Sequence, residues 1–201
     1  MGRVGHVGRV GRVRPVGQVG QLDSLRLRDR IAPGVEVLFV GINPGIRSAV
    51  TGHHFAGYSN RFWRLLFDAG LVPEPLTYED DDRLPEWGYG ITNIVPRPTA
   101  GMTDLRPDEF LAGAKVLMRK IRRYRPAIVA VVGVTVWRAL LEALGERDAR
   151  TRRVAFGFQT DLATGSTRYF VLPNPSGRNA NYSYVEMLAA YQELRAACER
   201  C

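Results

Sequence analysis

Val35-Glu36-Val37-Leu38-Phe39-Val40 and Ile128 to Val132 are short apolar runs rich in β-branched residues, and the stretches around them repeat apolar residues at helical spacing. Runs this short read as strands buried on both faces. Gly90-Ile91-Thr92-Asn93-Ile94-Val95 and Tyr169 to Leu172 read as two more strands. The first predicted helix is capped by Asn60, runs through Phe62, Trp63, Leu66 and Phe67, and stops at Gly70. The second opens at Pro107 and carries Phe110, Ala114, Leu117, Met118 and Ile121 on one face before Tyr124. Two more cover Val134 to Leu144 and Tyr184 to Ala197. Gly41 to about Tyr58 reads as a loop, and the prolines and acidic residues of 73–86 as a surface loop. Strands alternating with helices predict an α/β fold with a parallel or mixed sheet covered on both faces.

The 201 residues, 45% of them hydrophobic, are enough for one core that buries about 70% of the unfolded surface. Residues 1–21, a run of Val, Gly and Arg, can bury almost nothing and are expected to form a disordered basic tail, which leaves 22–201 as a single domain. The formal net charge is +8, nearly all of the excess being arginine, because Lys115 and Lys120 are the only lysines. Such a balance suits either a polyanionic partner or a solvated basic surface. Cys198 and Cys201 are too few for a disulfide framework or an iron–sulfur cluster, which predicts a reducing, cytoplasmic setting, in a bacterium close to the nucleoid. No run approaches the length of a membrane span, so no membrane partner is expected.

Two loops carry the functional signal. Gly41-Ile42-Asn43-Pro44-Gly45 follows the first strand directly, and Pro173-Asn174-Pro175-Ser176-Gly177 follows the last. If both strands are parallel, both loops leave the same sheet edge, where open α/β sheets bind ligands. In each, a proline holds the asparagine in extended geometry while nearby glycines allow close approach. Either loop alone reads as an ordinary strand-to-helix turn. Together they present rigid amides beside bare backbone, an arrangement suited to a flat polar ring.

These loops, with Thr51-Gly52-His53-His54-Phe55-Ala56-Gly57, Asn60-Arg61-Phe62-Trp63 and Gly90-Ile91-Thr92-Asn93-Ile94-Val95, resemble the mismatch-specific uracil and thymine DNA glycosylase family in content and order, from about Val35 to Leu194. The resemblance implies a three-layer α/β/α sandwich around a short, mainly parallel sheet. It implies a monomeric, monofunctional base excision repair enzyme that needs no cofactor or metal, flips its target, and hydrolyses the N-glycosidic bond of uracil or a mismatched pyrimidine in double-stranded DNA. Asn43 is then the catalytic residue, holding water through its amide carbonyl. Gly41, Ile42, Phe55 and Asn174 bind the base, with backbone N–H donors near Ile42 and Phe55. Gly177, Arg178 and Asn179 enter the hole left by the flipped nucleotide and meet its partner, while Ser48 and Ser176 meet the DNA backbone. Arg178 stands where the bacterial members often carry leucine, and with His53-His54 it resembles the eukaryotic thymine branch, which leaves the substrate range open between uracil and thymine.

Several residues keep a second reading. Phe55 fits a core aromatic as well as a base stack, and Arg178 fits a phosphate contact as well as a wedge. His53 and His54 read as a hydrogen-bonded pocket wall rather than a metal pair, and Glu79-Asp80-Asp81-Asp82 as a solvated loop. Two other functions fit the same chain: a catalytically inactive DNA-lesion binder with the same fold, and a nucleosidase for small molecules. Asn43 favours an enzyme over the first, and the positive charge a polymer substrate over the second.

Overall fold

A computed structural model describes residues 25–199; the predicted tail at 1–21, the start of the predicted domain and Cys201 lie outside the described residues. Five strands form one sheet: β1 (Val37–Gly41), β2 (Tyr89–Asn93), β3 (Ile128–Val132), β4 (Gly157–Thr164) and β5 (Thr167–Leu172), in the order β2-β1-β3-β5-β4. β2, β1, β3 and β5 are mutually parallel and only edge strand β4 runs antiparallel. The helices are α1 (Ile46–Thr51), α2 (Phe62–Asp68), α3 (Pro107–Tyr124), α4 (Val134–Ala143) and α5 (Tyr184–Cys198), with a 3-10 helix over Tyr78–Trp87 and a 3-10 turn over Met102–Asp104.

Alternation along the strands divides the core in two. Val37, Phe39, Ala130 and Phe170 face α2 and α5, whereas Leu38, Val40, Val129 and Tyr169 face α3 and α4. Both sheet faces are therefore covered, and β1 and β3 are buried at every position. The result is the α/β/α layering with a mainly parallel sheet that the sequence predicts.

Three segments differ from that reading. β4 escapes it because this edge strand has no continuous apolar run, and the tight turn at Gly165, φ 61°, supplies the hairpin. The predicted loop from Gly41 to Tyr58 contains α1, a six-residue helix closed by Gly52 in the left-handed region at φ 79°. The predicted surface loop at 73–86 contains the 3-10 helix, at whose start Asp80 Oδ2 accepts from Thr77 N and Thr77 Oγ1 accepts from Glu79 N.

Candidate active site

The carboxyl ends of all four parallel strands open on one cleft of about 480 Å³. Because β2 and β3 flank β1 on opposite sides, the sheet reverses its direction of growth at β1, and a crevice follows from that topology. Both Asn-Pro loops lie there, with Asn43 from the β1 end and Asn174 from the β5 end.

Asn43 is held by its amide nitrogen. Nδ2 donates to the carbonyl of Arg97 at 3.0 Å, to Thr99 Oγ1 at 2.7 Å and, more weakly, to the Pro44 carbonyl at 3.2 Å. Two of these partners are carbonyl oxygens that only accept, so chemistry fixes which end of the amide faces them. Thr99 gives its own proton to the Gly101 carbonyl at 2.7 Å, which leaves its oxygen to accept from Asn43. Among the described residues no donor meets Asn43 Oδ1.

The bracing loop is itself clamped. The Arg97 guanidinium meets both oxygens of Glu109 on α3, at 2.6 and 2.8 Å, and holds that carboxyl down to about 2. Thr99 N–H and the Pro44 carbonyl close the joint between the two loops at 3.1 Å.

Phe55 lines the cleft at φ 52°, a left-handed conformation that is costly for an aromatic residue, and its ring stacks on Phe62 at 4.1 Å between centroids. Phe62 thus supports one face of the ring, so the two readings of Phe55 are combined: it packs on the core and also borders the cleft. Gly41 lies opposite, where an added Cβ would come within 2.6 Å of Asn93 Oδ1 and 3.6 Å of Phe55 Cζ. A side chain there would displace the Asn93 amide while only touching the Phe55 ring. Among the described residues, the N–H groups of Ile42 and Phe55 meet no acceptor, and the Asn93 amide meets no partner.

The strained segment is fastened by Asp81. This carboxylate is fully buried and accepts from His54 N at 2.8 Å and Arg30 Nε at 2.9 Å, and it pairs with His53 Nδ1 at 3.1 Å. It is a correction to the solvated reading of the acidic run: one of its four members turns inward because three donors converge on it. His54 Nε2 lies 2.9 Å from the Arg28 carbonyl, and burial lowers its pKa, so the ring is neutral with its proton on Nε2. His54 lines the cleft, whereas His53 lies behind it against Asp81 and Tyr78.

The second loop is shaped mainly from within. Asn174 Oδ1 accepts from Ser176 N at 3.0 Å, and the Asn174 carbonyl accepts from Asn179 Nδ2 at 2.9 Å. The Asn179 amide is engaged at both ends, since Oδ1 also takes Asn181 N, and so helps to shape the loop. At Gly177 a Cβ would meet Ser59 Cβ at 2.3 Å, so this glycine lets the loop pack closely on the turn at 57–60. Arg178 is exposed and reaches the Ala100 carbonyl at 3.3 Å across the cleft mouth. Ser176 and Ser48 both line the cleft; Ser48 is 6% exposed, and its Oγ accepts from Ala56 N within the first loop.

No acidic side chain lines the cleft among the described residues, whereas Arg47 and Arg178 do. A sequence model of the Uracil DNA glycosylase superfamily matches residues 29–195. The chain belongs to that superfamily. Membership supports a DNA glycosylase, a hydrolase of DNA repair whose substrate is DNA. For a superfamily member, an arginine-bearing rim around an acid-free cleft is the electrostatic form that a polyanion requires. Asn93, Thr99, Arg97, Glu109 and Asp81 are the site residues that sequence reasoning missed. Asn93 stood inside a quoted motif, but nothing in one sequence says which amide of a strand end enters a cleft.

Proposed function

We propose that the chain is a monofunctional, mismatch-specific DNA glycosylase that removes uracil or another mismatched pyrimidine from double-stranded DNA in base excision repair. The observation that carries this reading is the Asn43 amide, anchored through Nδ2 to a second loop with Oδ1 left without a donor in the cleft. An anchored carbonyl oxygen is a fixed acceptor for one water O–H. Water then attacks C1′ as the bond to N1 of the pyrimidine breaks, and the bonding electrons leave with the base. The water gives up one proton to solvent or to the departing anion. An amide is a weak base, so positioning of the water and stabilisation of the anion supply most of the rate.

The N–H groups of Ile42 and Phe55 are the donors for the pyrimidine oxygens, Phe55 stacks on the ring, and Asn93 reads its polar edge. His54, neutral and bonded to Arg28, supplies no proton. No lysine lines the cleft among the described residues, and Lys120 is paired with Asp29 at 2.6 Å, which supports hydrolysis over an amine-linked lyase path. The test is an end-labelled duplex with one G·U pair, treated with the protein and then alkali. Cleavage at the uracil is expected. Tight binding without an alkali-sensitive site would replace the enzyme by a lesion-binding protein.

A further inference from the structure

Tyr58 is 90% exposed at the rim of the cleft, and it is presented there by a turn rather than left on a loose loop. Asn60 N donates to the Gly57 carbonyl at 2.9 Å, which closes a four-residue turn with Tyr58 and Ser59 at its tip. Asn60 Oδ1 then accepts from Phe62 N at 2.9 Å and ties the turn to α2. On its other side, Ser59 packs against Gly177, so the tip stands directly beside the loop that bears Arg178.

One face of the tyrosine ring has a cation over it. Arg47 Cζ lies 3.7 Å from the Tyr58 centroid, and that guanidinium is pinned by the Ala56 carbonyl at 2.6 Å and Tyr78 Oη at 3.2 Å. A cation on one face draws π density toward itself and makes the opposite face a better surface for an electron-rich ring. It also brings positive charge to a spot where a phosphate of the same strand can lie.

We propose that Tyr58, backed by Arg47, is a stacking platform for the nucleobase next to the flipped target. When a nucleotide leaves the duplex, its neighbour loses a stacking partner and exposes a bare face. Tyr58 covers that face while the neighbouring loop enters the gap. This role presupposes the glycosylase reading of the cleft and adds a contact that lies outside the base pocket.

The full chain, with Tyr58→Ala and Tyr58→Trp variants, is titrated onto a duplex that holds a stable abasic-site analogue opposite guanine. A 2-aminopurine flanks the analogue, first on its 5′ side and then on its 3′ side. On one side the probe should be dim with the wild type and bright with Tyr58→Ala. Tyr58→Ala should bind on the order of 10-fold more weakly, and Tyr58→Trp should restore both signals. Melting temperature should not change, and single-turnover base release should fall for G·U duplex while release from single-stranded uracil DNA, where no stacking has to be replaced, stays close to wild type.

Equal binding and equal fluorescence for wild type and Tyr58→Ala on both sides would overturn the platform. A loss that tryptophan does not restore, accompanied by a lower melting temperature, would also overturn it and leave Tyr58 a cover for Arg47. A probe response with no base release from G·U duplex would reject the glycosylase reading and leave the stacking contact standing.

Discussion

The two Asn-Pro loops look alike in sequence and present opposite chemistry. Asn43 is tied through its nitrogen to Arg97 and Thr99, residues 54 and 56 positions away, and its oxygen is left to the cleft. Asn174 is tied through its oxygen to Ser176, two residues on, and its nitrogen meets no acceptor among the described residues. One loop therefore offers a fixed acceptor, which suits water, and the other offers a donor, which suits a carbonyl or phosphate oxygen. The anchoring differs as well. A separate loop braces the first, and an ion pair clamps that brace. The second holds its shape largely through bonds within 173–181, with Arg61 N on the Pro175 carbonyl as a fixed outside tie. Chemistry is assigned to the rigid loop and duplex contact to the exposed one.

Asn43→Ala tests that division most severely. Loss of the fixed acceptor should slow single-turnover base release by on the order of 10²-fold or more while duplex affinity stays close to wild type. Near-normal turnover would move the chemistry off the first loop. Arg178→Ala probes the exposed loop and should act unevenly. Release from G·U duplex should fall on the order of 10-fold, and release from single-stranded uracil DNA, where little stacking has to be replaced, should fall much less. An equal loss on both substrates, with a salt slope shallower by about one unit, would make Arg178 a phosphate contact only.

Glu109→Gln weakens the clamp behind Asn43 and should lower the release rate by a few-fold with little change in affinity, a smaller effect than removing Asn43 itself. It also has a signature in stability. The folded-state pKa of Glu109 is depressed to about 2, so its stabilisation is present above the ordinary carboxylate value and is lost as pH falls from there toward about 2. Urea midpoints across that window should fall less steeply in the Glu109→Gln variant, which should also be the less stable protein at neutral pH. An unchanged acid profile would remove the clamp. The smallest effect is expected from deleting residues 1–21, which carry four arginines and no acidic residue. Base release at saturating enzyme should not change, and any loss of affinity at low salt should disappear as ionic strength rises.

Much of the scaffold was legible because it rests on local pattern. The all-apolar runs of β1 and β3, Pro107 at the start of α3 and the Asn60 oxygen at the start of α2 are properties of a few consecutive residues, and each stands where the sequence places it. β4 was not legible, because an edge strand is stabilised by its neighbour more than by its own composition. Ordered motifs also brought Gly41, Asn43, Phe55 and Asn174 into one cleft, through the rule that parallel strands open their loops on the same edge.

What the sequence by itself determined, then, is the layered α/β fold and which loops meet. The direction of each side chain was decided only by the tertiary structure. Asp81 reads as one acid among four until Arg30, His53 and the His54 backbone converge on it from distant segments. Asn43 and Asn174 remain interchangeable until the acceptors of the 97–101 loop and the donor of Ser176 orient their amides. The physical reason is that apolar burial is non-directional and repeats with the period of its own helix or strand, whereas a hydrogen bond needs a particular partner at a particular angle. In this site most of those partners lie dozens of residues away.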